Sequence, residues 1–412
     1  MEKNLYFEMK TRFKLPTADE FVFDELPKIF LLIYVSYFFT FNYAQNLSGT
    51  AKTIMNLLAV IFFGALAIFR LKCIFIGLFE KTFLFFLATC VVSIFFAIDP
   101  QETAYRCSAL FFIFLLTMFL HAYLRKCDML EFFIFVLCFG GIFLAAYNFY
   151  FYGFGTYLSA LGSKRLGAEI MNVNTIGKFC SMATIICFWY AYYKRKFYYF
   201  APMILCAMVS LGVGSRKSVI FLLFGCCFLY LLKGDISHKM KNLLLIAISL
   251  AVFVMILQTP MFARTAERFS SFLALFTGDA PIDHSTALRM ALVEGGWKDF
   301  LASPLMGIGL DNSHFLARRY IGDDFYMHNN FIELLVSVGL IGTIPFYFLR
   351  IYPIVKLLLP ALNHDETAIL LESLLITFLI LDFGQNSYMG TETYLYTLAA
   401  YVKISKLQEV GS

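Results

Sequence analysis

Residues 129–152 read MLEFFIFVLCFGGIFLAAYNFYFY, twenty-four positions with one charged side chain, Glu131. The hydrocarbon core of a bilayer is crossed by about 20 apolar residues in a helix, so this stretch is long enough to span it. Eleven more runs of this kind flank it, at 29–46, 53–69, 82–98, 107–124, 170–193, 198–214, 217–232, 242–258, 329–349, 366–385 and 390–407. The fold class that follows is all-α, a polytopic membrane protein of about 12 transmembrane helices. The shorter apolar stretch 71–80 reads as a re-entrant or interfacial segment. Spans seven and eight meet at Gly212, Gly214, Ser215 and Arg216 with almost no connector.

Composition agrees. Of 412 residues, 60% are hydrophobic and 15% charged, against roughly half and a quarter in a soluble domain. Mean hydropathy is +0.74. Fifty Phe and 24 Tyr suit spans with interfacial aromatic belts. A cytosolic enzyme, a disulfide scaffold and a coiled coil are excluded. The 10 Cys lie in or beside apolar runs without a Cys-x-x-Cys pair, so they read as small hydrophobic packers. The net charge of +5 is spread around span ends and gives no nucleic-acid patch.

Lys and Arg placement sets the orientation. With the N-terminus in the cytoplasm, cytoplasmic segments hold 20 basic residues, Arg350 and Lys356 among them, and the short external loops hold 6. Residues 1–28 then form a cytoplasmic segment without a signal-peptide pattern. Residues 29–258 carry helices 1–9, 259–328 a long external loop, 329–407 helices 10–12, and 408–412 a cytoplasmic tail. Within the loop, TALRMALVEGGWKDFL (286–301) puts Met290, Val293, Trp297, Phe300 and Leu301 on one helical face. That pattern predicts a short amphipathic helix on the membrane or the bundle, with Ser285 or Thr286 as its N-cap.

The ionisable groups on the external side are the candidates for chemistry. Arg216, followed by Lys217, is pinned between two apolar spans and runs against the positive-inside pattern; a guanidinium fork suits phosphate oxygens. Lys164, Arg165 and Arg289 are further external cations. His328 opens the tenth span and can accept a proton near neutral pH. His284 and His314 share its loop and have no better claim by chemistry alone. Glu333, Glu372 and Asp382 fall within spans, to line a cavity or to pair with Lys178. Asp323-Asp324 is adjacent rather than alternating, and no Gly-rich phosphate loop occurs. No metal, cofactor or nucleotide is expected.

At these residues the chain resembles the O-antigen ligase and O-antigen polymerase family of bacterial envelope glycosyltransferases. The pieces that carry the resemblance are RLGAEIMNVN (165–174), GSRKSVIFLL (214–223), ALRMALVEGGWKDFLASPLMGIGL (287–310) and HNNFIELLVSVGLIG (328–342). The resemblance implies a GT-C-type helical bundle and an inverting, metal-independent transfer of a glycan from undecaprenyl pyrophosphate to an acceptor hydroxyl at the outer face. It assigns Arg216 and Arg289 to the pyrophosphate and His328 to the acceptor. Arg165 and Lys217 assist binding, and Trp297, Pro304, Gly307, Gly309 and Asn329 form the scaffold. The Asn-Pro-Asn often found in the first piece reads Asn172-Val173-Asn174 here. The expected function is polymerisation of O-antigen, capsule or exopolysaccharide repeat units. The alternative is a ligase that passes the glycan to a lipid A core or other surface acceptor. A flippase or other transporter is the rival of a different class, but no internal repeat supports it. Expected partners are the lipid-linked donor, a glycan or lipid-core acceptor, membrane lipids, a flippase and a chain-length regulator. The expected location is the bacterial cytoplasmic membrane.

Overall fold

The computed structural model describes residues 24–232 apart from 46 and 164, scattered positions between 241 and 270, and residues 284–411. Most of the N-terminal segment, Lys164, most of the ninth predicted span and the loop stretch 271–283 lie outside the described residues.

Helices occupy the other eleven predicted positions. They are α1 (Leu26–Phe41), α2 (Gly49–Ala65, prolonged by a π-helical turn Leu66–Leu71), α3 (Leu78–Val92), α4 (Pro100–Lys126) and α5 (Leu130–Tyr152). A short α6 (Phe154–Ala160) precedes α7 (Val173–Tyr192), α8 (Phe200–Gly212) and α9 (Arg216–Leu231). Beyond the partly described region come α10 (His284–Ala302), α11 (Ser313–Ile321), α12 (Asn330–Leu362), α13 (Glu366–Leu381) and α14 (Thr391–Gly411). No strand occurs among the described residues, only an isolated bridge between Ala44 and Met171. Among the described residues, five helices are long and apolar enough to cross a membrane, namely α2 with its π turn, α3 with the turn after it, α4, α5 and α12. Residues 72–77, expected to be re-entrant, are an irregular link between α2 and α3.

Side-chain oxygens cap two of the helix starts. Ser48 accepts from Ala51 N at α2, and Asp99 accepts from Gln101 N and Glu102 N ahead of Pro100 at α4. These groups supply oxygens to the N–H donors that a helix start leaves unpaired. Aromatic and aliphatic side chains of α1, α3–α5, α7, α9 and α12–α14 form one large core. The outward surfaces of several helices remain apolar: Phe69, Phe95 and Tyr150 are at least three-quarters exposed, and Ile61, Phe85, Val355 and Leu359 more than half. Water would penalise so broad an apolar surface; hydrocarbon does not.

Three expectations change. Arg350, counted among cytoplasmic charges, lies inside α12, which runs 13 residues past the predicted end at 349; it is buried and ion-paired with the equally buried Asp382. The helix α10 already runs at His284, so Ser285 and Thr286 lie in its first turn rather than at its cap. Its packed face is also different. Leu292 and Phe300 are buried with Leu316, Met327, Ile332 and Val336 in a small second core, while Met290, Trp297 and Leu301 are exposed. Gly295 and Gly296 decide this. A Cβ on either would lie 2.4 Å from Tyr320 or Ile332, so the bare backbone on that side admits α11 and α12.

Candidate functional site

The site is built on a break in α12. At Gly339 the backbone takes φ 62° and ψ −166°, a combination open essentially to glycine alone. The loop after α10 enters the break. Ile308 N and Gly309 N donate to the carbonyls of Val336 and Ser337, each at 3.0 Å, and Leu340 N and Ile341 N donate to Pro304 O and Leu305 O at 2.9 and 3.3 Å. The groups released by the break are thereby satisfied. Gly307 has φ 69° and leaves no room for a side chain, since its Cβ would lie 2.5 Å from the Ser337 carbonyl. Pro304, Gly307 and Gly309 thus sit in a plug that joins the segment after α10 to the bundle.

The plug delivers the next residues. Asn312 is buried, accepts from Asp99 N at 2.6 Å and donates to Thr103 Oγ1 at 3.1 Å. Ser313 Oγ donates to Glu333 Oε1 at 2.6 Å, and Met327 N to Glu333 Oε2 at 3.0 Å. The sequence His328-Asn329-Asn330 divides three tasks. Asn329 is the N-cap of α12, accepting from Phe331 N and Ile332 N. Asn330 Oδ1 accepts from Ser387 N at 2.7 Å and Tyr388 N at 3.1 Å, which pins the α13–α14 loop. His328, with φ 55°, is left to face the solvent-side groups.

Two cavities meet this framework. A small one of about 150 Å³ is lined by His284, Arg289, Phe325 and His328 among others. The His328 ring lies 4.1 Å from that of Tyr326, and its Nδ1 is buried without a hydrogen-bond partner among the described residues. Burial first, then the charges of Arg289 and Lys217, push the imidazole down to about 4. Burial and the neighbouring charges therefore keep it neutral at pH 7.

The larger cavity, about 510 Å³, is lined from seven parts of the chain, Lys217 among them. Its walls carry paired charges. Arg106 Nε lies 2.6 Å from Asp311 Oδ2, and Tyr388 OH donates to Asp311 Oδ1 at 2.8 Å. Lys178 is ion-paired with Glu392, which also accepts from Tyr43 OH at 2.9 Å. Lys178 was set against Glu333, Glu372 and Asp382 in the sequence; its partner is on α14 instead. His314 Nδ1 is 2.8 Å from the Asp311 carbonyl, and its Nε2 is 3.5 Å from Glu102 Oε2.

Arg289 and His328 line the small cavity together, and Lys217 lines the larger one. Arg216 begins α9 beside Lys217 but lines neither cavity. Arg165 Nε donates to Val213 O at 3.4 Å, next to the α8–α9 turn. Trp297 is half-exposed and lines neither cavity. Asp324 is ion-paired with Arg318. The cavity residues Glu102, Arg106, Asp311, Tyr388 and Glu392 were not singled out in the sequence. One signal was present, since lone charges inside apolar spans, as at Lys178 and Glu392, usually seek each other.

Apolar helices long enough to cross a membrane, packed around a polar cavity, define a membrane protein. Residues 201–347 match the family model described as O-antigen ligase. The matched stretch includes Arg216, Lys217, Arg289, the plug and His328, and it supports the resemblance to the O-antigen ligase and polymerase family. No curated protein matches the chain. The family implies a glycosyltransferase-like membrane enzyme.

Proposed function

We propose that the protein is an inverting glycosyltransferase that polymerises lipid-linked repeat units of O-antigen, capsule or exopolysaccharide at the outer face of the bacterial cytoplasmic membrane. The observation that carries this reading is that Arg289 and His328 line one cavity while Lys217 lines the larger polar one. A glycan on undecaprenyl pyrophosphate would place its phosphates against Lys217 and Arg289, with Arg216 and Arg165 at the neighbouring α8–α9 turn. The acceptor hydroxyl oxygen attacks the anomeric carbon from the side opposite the pyrophosphate. The carbon–oxygen bond to the phosphate breaks, and the departing negative charge is held by fixed cations.

The proton of the hydroxyl passes to His328. An imidazole near 4 is a weak base in the empty site. The donor phosphates offset the positive field of Arg289 and Lys217, so binding raises its basicity when a base is required. In this reading both termini are cytoplasmic, a flippase delivers the donor and a chain-length regulator limits the product.

The family description itself favours a second reading, a ligase that passes the glycan to a lipid A core or other surface acceptor. The donor side is the same in both. Purified protein supplied with lipid-linked repeat unit alone separates them. A ladder of longer glycans on the same lipid supports polymerisation, a requirement for a separate core acceptor supports ligation, and no transfer with either overturns the glycosyltransferase reading.

A further inference from the structure

We infer that the wall of the larger cavity formed by Gln385, Asn386, Asp311 and His314 is the subsite for the acceptor sugar, a reading that rests on the transfer reaction proposed above. The donor is held by its phosphates and by its lipid in the membrane. The sugar ring that receives it depends on hydrogen bonds, so its subsite has to be built from hydrogen-bonding groups. A sugar hydroxyl both donates and accepts, and a wall that binds sugars presents both functions side by side.

This wall carries both. Gln385 is nine-tenths buried, and its Nε2 has no hydrogen-bond partner among the described residues. Asn386 interacts with Glu333 through its side chain, while its Oδ1 likewise has no partner among those residues. Both residues line the cavity, so its lining includes one residue with an unused donor and one with an unused acceptor. Asp311 and His314 add polar groups from the plug side, already oriented by Arg106, Tyr388 and the Asp311 carbonyl.

Charge and rigidity exclude the other obvious ligand. Arg106 and Lys178 are each tied to a carboxylate, which makes this wall a poor anion trap and leaves phosphate to Lys217. Three tyrosines, Tyr43, Tyr326 and Tyr388, line the same space and can cover the apolar face of a sugar ring. The cavity of about 510 Å³ falls in the range of small-ligand sites. Asn330 holds the 387–388 backbone two residues after His328, so one segment sets both the base and the sugar wall.

The test is thermal unfolding of the full chain in detergent with two separate probes, inorganic pyrophosphate and a panel of methyl glycosides (glucose, galactose, N-acetylglucosamine, rhamnose). At least one glycoside should raise the unfolding temperature of the wild type, and should add to the protection given by pyrophosphate. Gln385→Ala should weaken glycoside binding roughly tenfold, the value of one hydrogen bond, with pyrophosphate protection intact. Where Gln385→Ala is not recovered folded, His314→Phe makes the same test from the plug side of the same wall.

The inference is overturned if no glycoside protects while pyrophosphate does, if glycoside and pyrophosphate exclude each other, or if the variant binds glycoside as the wild type does. Loss of pyrophosphate protection in the wild type, with glycoside protection kept, would count against the donor site of the proposed function and leave the sugar wall standing.

Discussion

Replacing Gly339 by alanine tests whether the plugged break in α12 holds the site together. At φ 62° and ψ −166° a side chain is strained by about 1–3 kcal/mol. The added Cβ would also lie 2.3 Å from the Leu305 carbonyl, and overpacking against backbone costs about 1–3 kcal/mol more. The protein can escape the clash by expelling the plug. It then gives up four backbone hydrogen bonds, each worth about 0.5–1.5 kcal/mol net. Both routes cost about 2–6 kcal/mol, so relaxation cannot rescue the variant cheaply. The expulsion route also releases Asp311 and His314 from their cavity. Thermal unfolding and glycan transfer, measured on the same purified sample, should therefore fall together. Gly49→Ala is the control: nothing lies within 4 Å of its Cβ, and it should be neutral or slightly stabilising. A Gly339→Ala protein as stable and as active as the wild type would falsify the account of the plug.

Transfer measured as kcat/KM should hold from pH 7 down to about pH 5 and fall only as His328 protonates near 4. Lys217→Met removes one of the opposing charges and should move that limb to higher pH. The same depressed value means that the folded chain excludes a proton the unfolded chain binds near 6.5, so stability is full above about 6.5 and is lost progressively down to 4. Arg289→Ala and Lys217→Met should each lower transfer about a hundredfold, roughly 3 kcal/mol, with membrane insertion unchanged. His328→Asn should be as inactive as His328→Ala, because Asn329 already caps the helix; near wild-type turnover would remove His328 from the reaction. Arg350→Met leaves Asp382 buried without its ion-pair partner and should cost about 3–5 kcal/mol of stability, and adding Asp382→Leu should recover most of it. Single cysteines placed in 284–328 of a cysteine-free variant should react with an impermeant thiol reagent from outside; labelling only after lysis would reverse the proposed orientation.

Apolar runs are legible because a helix in hydrocarbon is specified locally, and helices lie at each predicted position within the described residues. Packing between runs is not local. Arg350 looks like a flanking charge by position, and only its contact with Asp382, 32 residues on, makes it part of the interior. The face of α10 was misread for a related reason. Periodicity marks where large apolar residues lie, but here two glycines mark where neighbours approach. Arg289 and His328 could be picked out by charge and by motif, whereas Lys217 rather than Arg216 borders the cavity, a difference of one residue in helical phase. Glu102, Arg106, Asp311 and Tyr388 carry no local signature, since each gains its meaning from a partner on another helix.

The hydrogen bond from Tyr43 to Glu392 closes the larger cavity across 349 residues of chain. A ribosome feeding this protein into the membrane therefore builds the cationic edge long before it builds the opposite side. Until α14 arrives, Lys178 has no counter-ion and Tyr43 no acceptor there, and a stalled or truncated chain holds two costly unpaired polar groups in the bundle.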